Sequence, residues 1–226
     1  MMRPSPQFTF CLGLLILFGL ISSAQATIVL GQVDDFEDGT LQSWEGNFVS
    51  PPVNVPDGGP TGLGDNFLEA TSNGGVGPGS HLAVFNADQW SGDYLTAGVT
   101  SVQVDMRNPN AAPLEMRLLL LDNGAAGGNF TSLATTIVPP DNQWHTYVFS
   151  LAPADLAPVD GAFDANATLA NLWRLLIRHQ PGAPAGQGGG ATFDGQIGLD
   201  NVTALPEPST LSLLAIGAVG LLRRRR

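Results

Sequence analysis

Between residues 27 and 205, apolar positions recur at every second residue in short runs that Gly, Pro, Asn and Asp interrupt. In the run 99–106, Thr100, Val102, Val104 and Met106 share one face. In 114–121, Leu114, Met116, Leu118 and Leu120 do so, with Glu115 and Arg117 opposite. In 144–151, His145, Tyr147, Phe149 and Leu151 alternate with Trp144, Thr146, Val148 and Ser150. A period of two is that of a strand, whose successive side chains point to opposite faces. Runs at 32–36, 44–49, 66–71, 81–85, 131–138, 172–179 and 196–204 predict further strands. Only 165–171 suits a short helical turn, and no repeat of 20–50 residues is present. Many short strands between turn residues predict an all-β fold, an antiparallel β-sandwich. The Gly- and Pro-rich stretches 51–64 and 181–190 lack apolar periodicity and read as loops, either mobile connections or lips over a binding surface.

Both ends break this pattern. Residues 11–21 are an unbroken apolar run of eleven, preceded by Arg3 and followed by Ala24-Gln25-Ala26. That order is a secretory signal peptide over 1–26, cleaved after Ala26. Eleven helical residues reach only about 17 Å, against a hydrocarbon core of about 30 Å. At the other end, Pro206-Glu207-Pro208 breaks any strand or helix, an apolar run follows at 211–222, and Arg223, Arg224, Arg225 and Arg226 close the chain. The dozen apolar residues predict a short hydrophobic helix, and four arginines hold its far end in the cytoplasm.

This order of parts resembles the PEP-CTERM sorting tail of Gram-negative bacteria. The resemblance implies an inner-membrane intermediate, recognition by an exosortase, removal of the tail 206–226, and delivery to the cell surface or the extracellular polysaccharide matrix. A permanently retained anchor is the alternative.

Removal of both ends changes the composition that matters. The only cysteine, Cys11, leaves with the signal, so disulfides, thiol nucleophiles and thiolate metal sites are excluded from 27–205. Nineteen acidic residues face four arginines and no lysine there, a net charge of −15 over 179 residues. Nucleic acid is a poor partner for such a surface, since phosphate binding needs basic patches. Cations and neutral or basic glycans suit it better, and solubility alone is also a sufficient reason for the charge.

The order of pieces from 33 to 202 is similar to the galactose-binding-like jelly rolls of carbohydrate-binding modules. It starts with an acidic first strand, Val33-Asp34-Asp35-Phe36-Glu37-Asp38-Gly39, and continues through Trp44, 98–107 and 143–151 to a last strand, Ile197-Gly198-Leu199-Asp200-Asn201-Val202. That resemblance implies adjacent first and last strands holding a structural Ca²⁺, with Glu37 and Asp200 as ligands and Asp35 as a third candidate. Asp35 and Glu37 are two apart and would face the same way on a strand. An acidic edge that discourages strand pairing is the competing explanation. For sugar stacking the candidates are Trp90 and Tyr94, in the polar stretch Trp90-Ser91-Gly92-Asp93-Tyr94, whereas Trp144 and Trp173 read as core.

Catalytic chemistry finds little support. Four Glu residues remain in 27–205, none in a close acidic cluster, and no G-x-S-x-G or H-E-x-x-H is present. His81, His145 and His179 are far apart, and the Gly-rich 186–190 lacks the Lys and Ser/Thr of a phosphate loop. The expectation is a secreted, non-catalytic jelly roll that binds extracellular polysaccharide. A structural or adhesive matrix protein without sugar binding is the alternative, and a polysaccharide-active enzyme comes third.

Overall fold

The computed structural model describes residues 27–207 apart from 48, 78, 123–126 and 162. The signal peptide with Ala26, the sorting residues Pro208 and Arg223 to Arg226, and both expected terminal helices lie outside the described residues. The described elements are β1 (Val33–Asp34), β2 (Val53–Val55), β3 (Phe67–Asn73), β4 (Ala83–Asn86), α1 (Tyr94–Ala97), β5 (Ser101–Arg107), β6 (Leu114–Asp122), β7 (Asn129–Ser132), β8 (Thr136–Val138), β9 (Trp144–Ser150), β10 (Leu156–Val159), α2 (Ala165–Ala170), β11 (Leu172–His179) and β12 (Asp194–Leu205). They form the antiparallel β-sandwich that the alternation predicts. The first sheet runs β2-β3-β12-β5-β9, with β1 also on β12; the second runs β10-β7-β6-β11-β4, with β8 on β6. Apart from the short β2, β7, β8 and β10, successive strands from β3 on alternate between sheets along the chain, β3, β5, β9 and β12 in the first and β4, β6 and β11 in the second, as in a jelly roll.

The inward faces are the predicted ones. Val102, Val104 and Met106 of β5 meet Leu114, Met116, Leu118 and Leu120 of β6, all fully or almost fully buried. β12 does this with a change of parity. Ile197 and Leu199 face the core, but so do Val202 and Ala204, because the register with β5 slips between Asp200 and Thr203. Asn201 takes the extra residue of this β-bulge in the left-handed region, at φ 50°. The bulge leaves Asp200 on the outer face of the first sheet, opposite Asp105.

Four local expectations are corrected. Residues 44–49 form only a bridge between Glu45 and Phe85, while Trp44 turns into the core. The stretch 131–138 divides into β7 and β8, and β2 lies inside the presumed loop 51–64. β10 contains Pro158 and sits at the sheet edge, the place where a strand tolerates a residue without an N–H. α1 is a single turn between an Asp93 side chain that accepts from the Thr96 amide and Gly98 at φ 75°. The predicted helical turn at 165–171 is α2, capped by Asp164.

Candidate functional site

Trp90 and Tyr94 are wholly buried, so neither offers a ring to a ligand, which corrects the expectation for both. Burial of an indole requires an acceptor for its N–H, and Asp34 supplies it. Asp34 Oδ2 accepts from Trp44 Nε1 at 2.7 Å and Trp90 Nε1 at 2.6 Å. Tyr94 closes the cluster by donating to the Trp90 carbonyl at 2.8 Å. Burial raises the Asp34 carboxyl above its ordinary value, the indole and Gln89 hydrogen bonds oppose the rise, and Asp35 adds to it.

The expected calcium ligands are only partly brought together. β1 ends at Asp34 and Phe36 sits at φ 57°, so Asp35 and Glu37 do not share a strand face. Asp35 turns to the Gln42 side chain and the Glu37 amide. Glu37 instead meets the Asn66 amide at 2.8 Å, beside Asp65. Among the described residues no three His, Cys, Asp or Glu side chains stand close enough to hold a metal, so the set Asp35, Glu37 and Asp200 is not assembled.

Asp200 itself is unusual. It is 1% exposed, and its Oδ2 is buried without a hydrogen-bond partner. Burial pushes its pKa up to about 8 against the Asn201 amide, helped by the charges of Asp65, Asp105 and Glu37. Asp105 and Asp200 are directly opposed across β5 and β12, an arrangement that repels while both are ionised. The charges that act on it are acidic. Asp105 takes hydrogen bonds from Thr146 Oγ1 and Asn201 Nδ2, and Thr61 donates its amide to Asp65. An orphaned, desolvated carboxylate among oxygen donors is chemically suited to a hard cation such as Ca²⁺.

Trp144, read as core, lies half-buried on the same outer face. Its ring meets Phe67 at 5.3 Å, Arg107 stacks over both rings, and both Trp144 Nε1 and Arg107 Nη1 donate to the Gly58 carbonyl. Gly198 makes room for it: a Cβ there would stand 2.9 Å from Trp144 Cη2. Gly198→Ala is therefore expected to displace the ring and cost about 1–3 kcal/mol, measurable as a lowered midpoint in denaturant.

On the outer face of the second sheet, Trp173 corrects the other core assignment, for it is 37% exposed. Arg174 lies 4.2 Å from the centroids of both Trp173 and Phe85. Glu45 is held beside them through its main-chain bridge to Phe85, and its charge partly offsets the desolvation that lowers the Arg174 pKa. Two rings, a guanidinium and a carboxylate thus share an accessible patch. The signal in the sequence was Trp173-Arg174, where β11 slips register between Leu172 and Arg174 and turns the tryptophan outward.

Residues 204–226 match the PEP-CTERM protein-sorting motif. No curated protein matches the chain. Among solved structures, an exo-beta-agarase is similar over 79% of this chain, with TM-score 0.56 and 15% identity. The chain spans about a quarter of that agarase, 26% of its length. CtCBM11 is similar over 82% of this chain and 98% of its own, with TM-score 0.49 and 17% identity. The CBM22-2 xylan-binding domain from Paenibacillus barcinonensis Xyn10C is similar over 76% of this chain and 98% of its own, with TM-score 0.44 and 16% identity. At such identities the likeness is one of fold. Among the described residues no helix is long and apolar enough to cross a membrane. The PEP-CTERM sorting tail, following an antiparallel β-sandwich, marks the chain as an exported protein targeted to an exosortase through a membrane-anchored intermediate.

Proposed function

We propose that the domain 27–205 is a non-catalytic module that binds extracellular polysaccharide on the outer face of its second sheet, after sorting to the cell surface or matrix of a Gram-negative bacterium. The observation that carries this reading is the Trp173, Arg174 and Phe85 patch. Sugar rings stack on exposed aromatic faces, and Arg174 and Glu45 supply donors and acceptors for hydroxyl groups. The agarase that this domain resembles over about a quarter of its length acts on a polysaccharide, which agrees with the reading. Catalysis does not fit the most perturbed carboxylate, since Asp200 is buried and cannot reach a glycosidic oxygen. Ca²⁺ at Glu37 and Asp200 belongs to the same proposal as a structural ion, stabilising the folded state by binding it alone. When bound it would neutralise the repelling carboxylates.

The test uses residues 27–205, which contain every strand of both sheets and the whole core. The domain should be retained by the producing organism's extracellular polysaccharide and released by excess soluble polymer. Trp173→Ala should weaken retention about tenfold or more, as loss of a central aromatic contact does elsewhere. Absence of retention with calcium and with chelator alike would overturn the proposal and leave a structural or adhesive role.

A further inference from the structure

Arg117 and Arg178 are direct cross-strand partners on the outer face of the second sheet, and each is at least 96% buried. Like charges in that position repel, and two of the domain's four arginines are spent on it. Neither guanidinium touches a carboxylate: the ion pair found among the described residues is His145 with Asp141. Glu115 and Asp160 act on them only at a distance.

What the two arginines touch is mostly main chain: Arg117 reaches the Gln180, Ser132 and Leu133 carbonyls outside the loop 181–190, and most of the remaining bonds go to the loop itself. Arg117 Nη2 donates to the Gly182 carbonyl at 2.7 Å, and Arg178 Nη1 to those of Gly186 at 2.9 Å and Gly189 at 3.2 Å. Arg178 Nη2 also reaches the Ala185 carbonyl and Gln180 Oε1, while Arg178 Nε is buried without a partner. The far side of the loop is tied by the Gln187 amide to Asp160 Oδ2 at 2.9 Å. No residue of 181–190 is itself buried, and its side chains are those of Pro, Ala, Gln and Gly. Hydrogen bonds to the arginines, rather than apolar burial, hold this loop on the sheet.

We infer that the loop 181–190 is a displaceable lip whose carbonyls hold the place of carboxylate groups of an acidic polysaccharide on the Arg117 and Arg178 pair. This deepens the polysaccharide reading above and rests on it. The exchange discriminates by charge. A neutral hydroxyl replacing a neutral carbonyl gains nothing, whereas a carboxylate forms charge-assisted bonds with guanidinium groups that no anion now neutralises. Only a ligand with such a difference in affinity can move the lip. The net negative charge of the domain opposes polyanions at long range, but at physiological salt the screening length is about 8 Å, short of most of the surface.

Two substitutions set the lip in opposite positions. A Cβ at Gly186 would overlap the carboxyl group of Asp160, so Gly186→Ala displaces that carboxyl or the loop and in either case breaks the tie from Asp160 to the Gln187 amide. Asp160 Cγ stands 2.0 Å from that Cβ position, so the side chains of Asp160→Cys and Gly186→Cys come within reach of each other for a disulfide. Residues 27–205 have no other cysteine, so oxidation locks this loop alone.

Binding to alginate, which carries uronate groups, and to dextran, which is neutral, is measured for each form, with circular dichroism and a thermal melt confirming the fold. The expected result is alginate binding at least tenfold weaker in the oxidised double variant than in its reduced form, and strongest in Gly186→Ala, with dextran indifferent to the lock. Equal alginate affinity in oxidised and reduced forms overturns the lip. Absence of alginate binding in every form, Gly186→Ala included, overturns the acidic ligand. The Trp173-dependent retention on the organism's own polysaccharide decides the broader reading separately.

Discussion

Raising the pH from 5 to 8.5 in the presence of chelator is expected to lower the unfolding midpoint of residues 27–205, and calcium to restore it most strongly at the alkaline end. The cause is Asp200, whose folded-state pKa is about 8 against 3.8 for an ordinary aspartate. Between those values the folded state holds a proton that the unfolded chain has lost. Stability therefore falls as pH rises through the window, the opposite of the usual salt-bridged carboxylate. A carboxyl raised that far sets an upper limit of about 6 kcal/mol; with relaxation of the surroundings a few kcal/mol is expected, or about 10 °C in a domain of this size. The proposed Ca²⁺, bound to the ionised carboxylate, would reverse the penalty. Asp200→Asn should remove most of the pH dependence and, at pH 8 without calcium, leave the domain as stable as the parent or more so. It should also abolish the response to calcium. A flat stability profile from pH 5 to 8.5 in the parent, with no response to calcium, would remove both the perturbed carboxyl and the ion.

Asp34→Ala is expected to destabilise the domain by about 3–5 kcal/mol, because two indole N–H groups and the Gln89 amide lose an acceptor in the interior. Asp34→Asn tests the reason. Its amide oxygen can still accept from both tryptophans, and the cost of burying a charge disappears, so the loss should stay within about 1.5 kcal/mol. Urea unfolding followed by tryptophan fluorescence reads both variants, since Trp44 and Trp90 lie 6.0 Å apart and report on the same site. Equal losses for Ala and Asn would mean that the negative charge, not the acceptor oxygen, holds the cluster. Asp34 also has a raised pKa, so Asp34→Asn weakens the pH dependence in the same direction as Asp200→Asn, and the double variant separates the two.

The sandwich was legible because its strands obey a period of two, and the inward faces of β5 and β6 stand where the alternation placed them. β10 and the split between β7 and β8 were not, since strands of three or four residues carry too few alternating positions to rise above a loop. The bulge in β12 was written in the sequence as a change of parity, with Ile197 and Leu199 followed by Val202 and Ala204. Its consequence, Asp200 facing Asp105, depends on a neighbouring strand far away in the chain.

The tryptophans show the boundary most plainly. Trp90 in a polar turn is core, and Trp173 in an apolar strand is exposed. Local hydropathy misassigns both, because a fully buried indole needs an acceptor for its N–H that can lie far off in the chain, and Asp34 is 56 residues from Trp90. Residues adjacent in the chain determined the all-β class, the sorting tail, the absence of disulfides in 27–205 and the acidic charge, since each is a property of composition or of short-range order. Only the tertiary structure decided which carboxylate is orphaned, which rings reach solvent and what the 181–190 loop covers. Those depend on desolvation and on cross-strand neighbours, and neither exists until the two sheets have closed on each other.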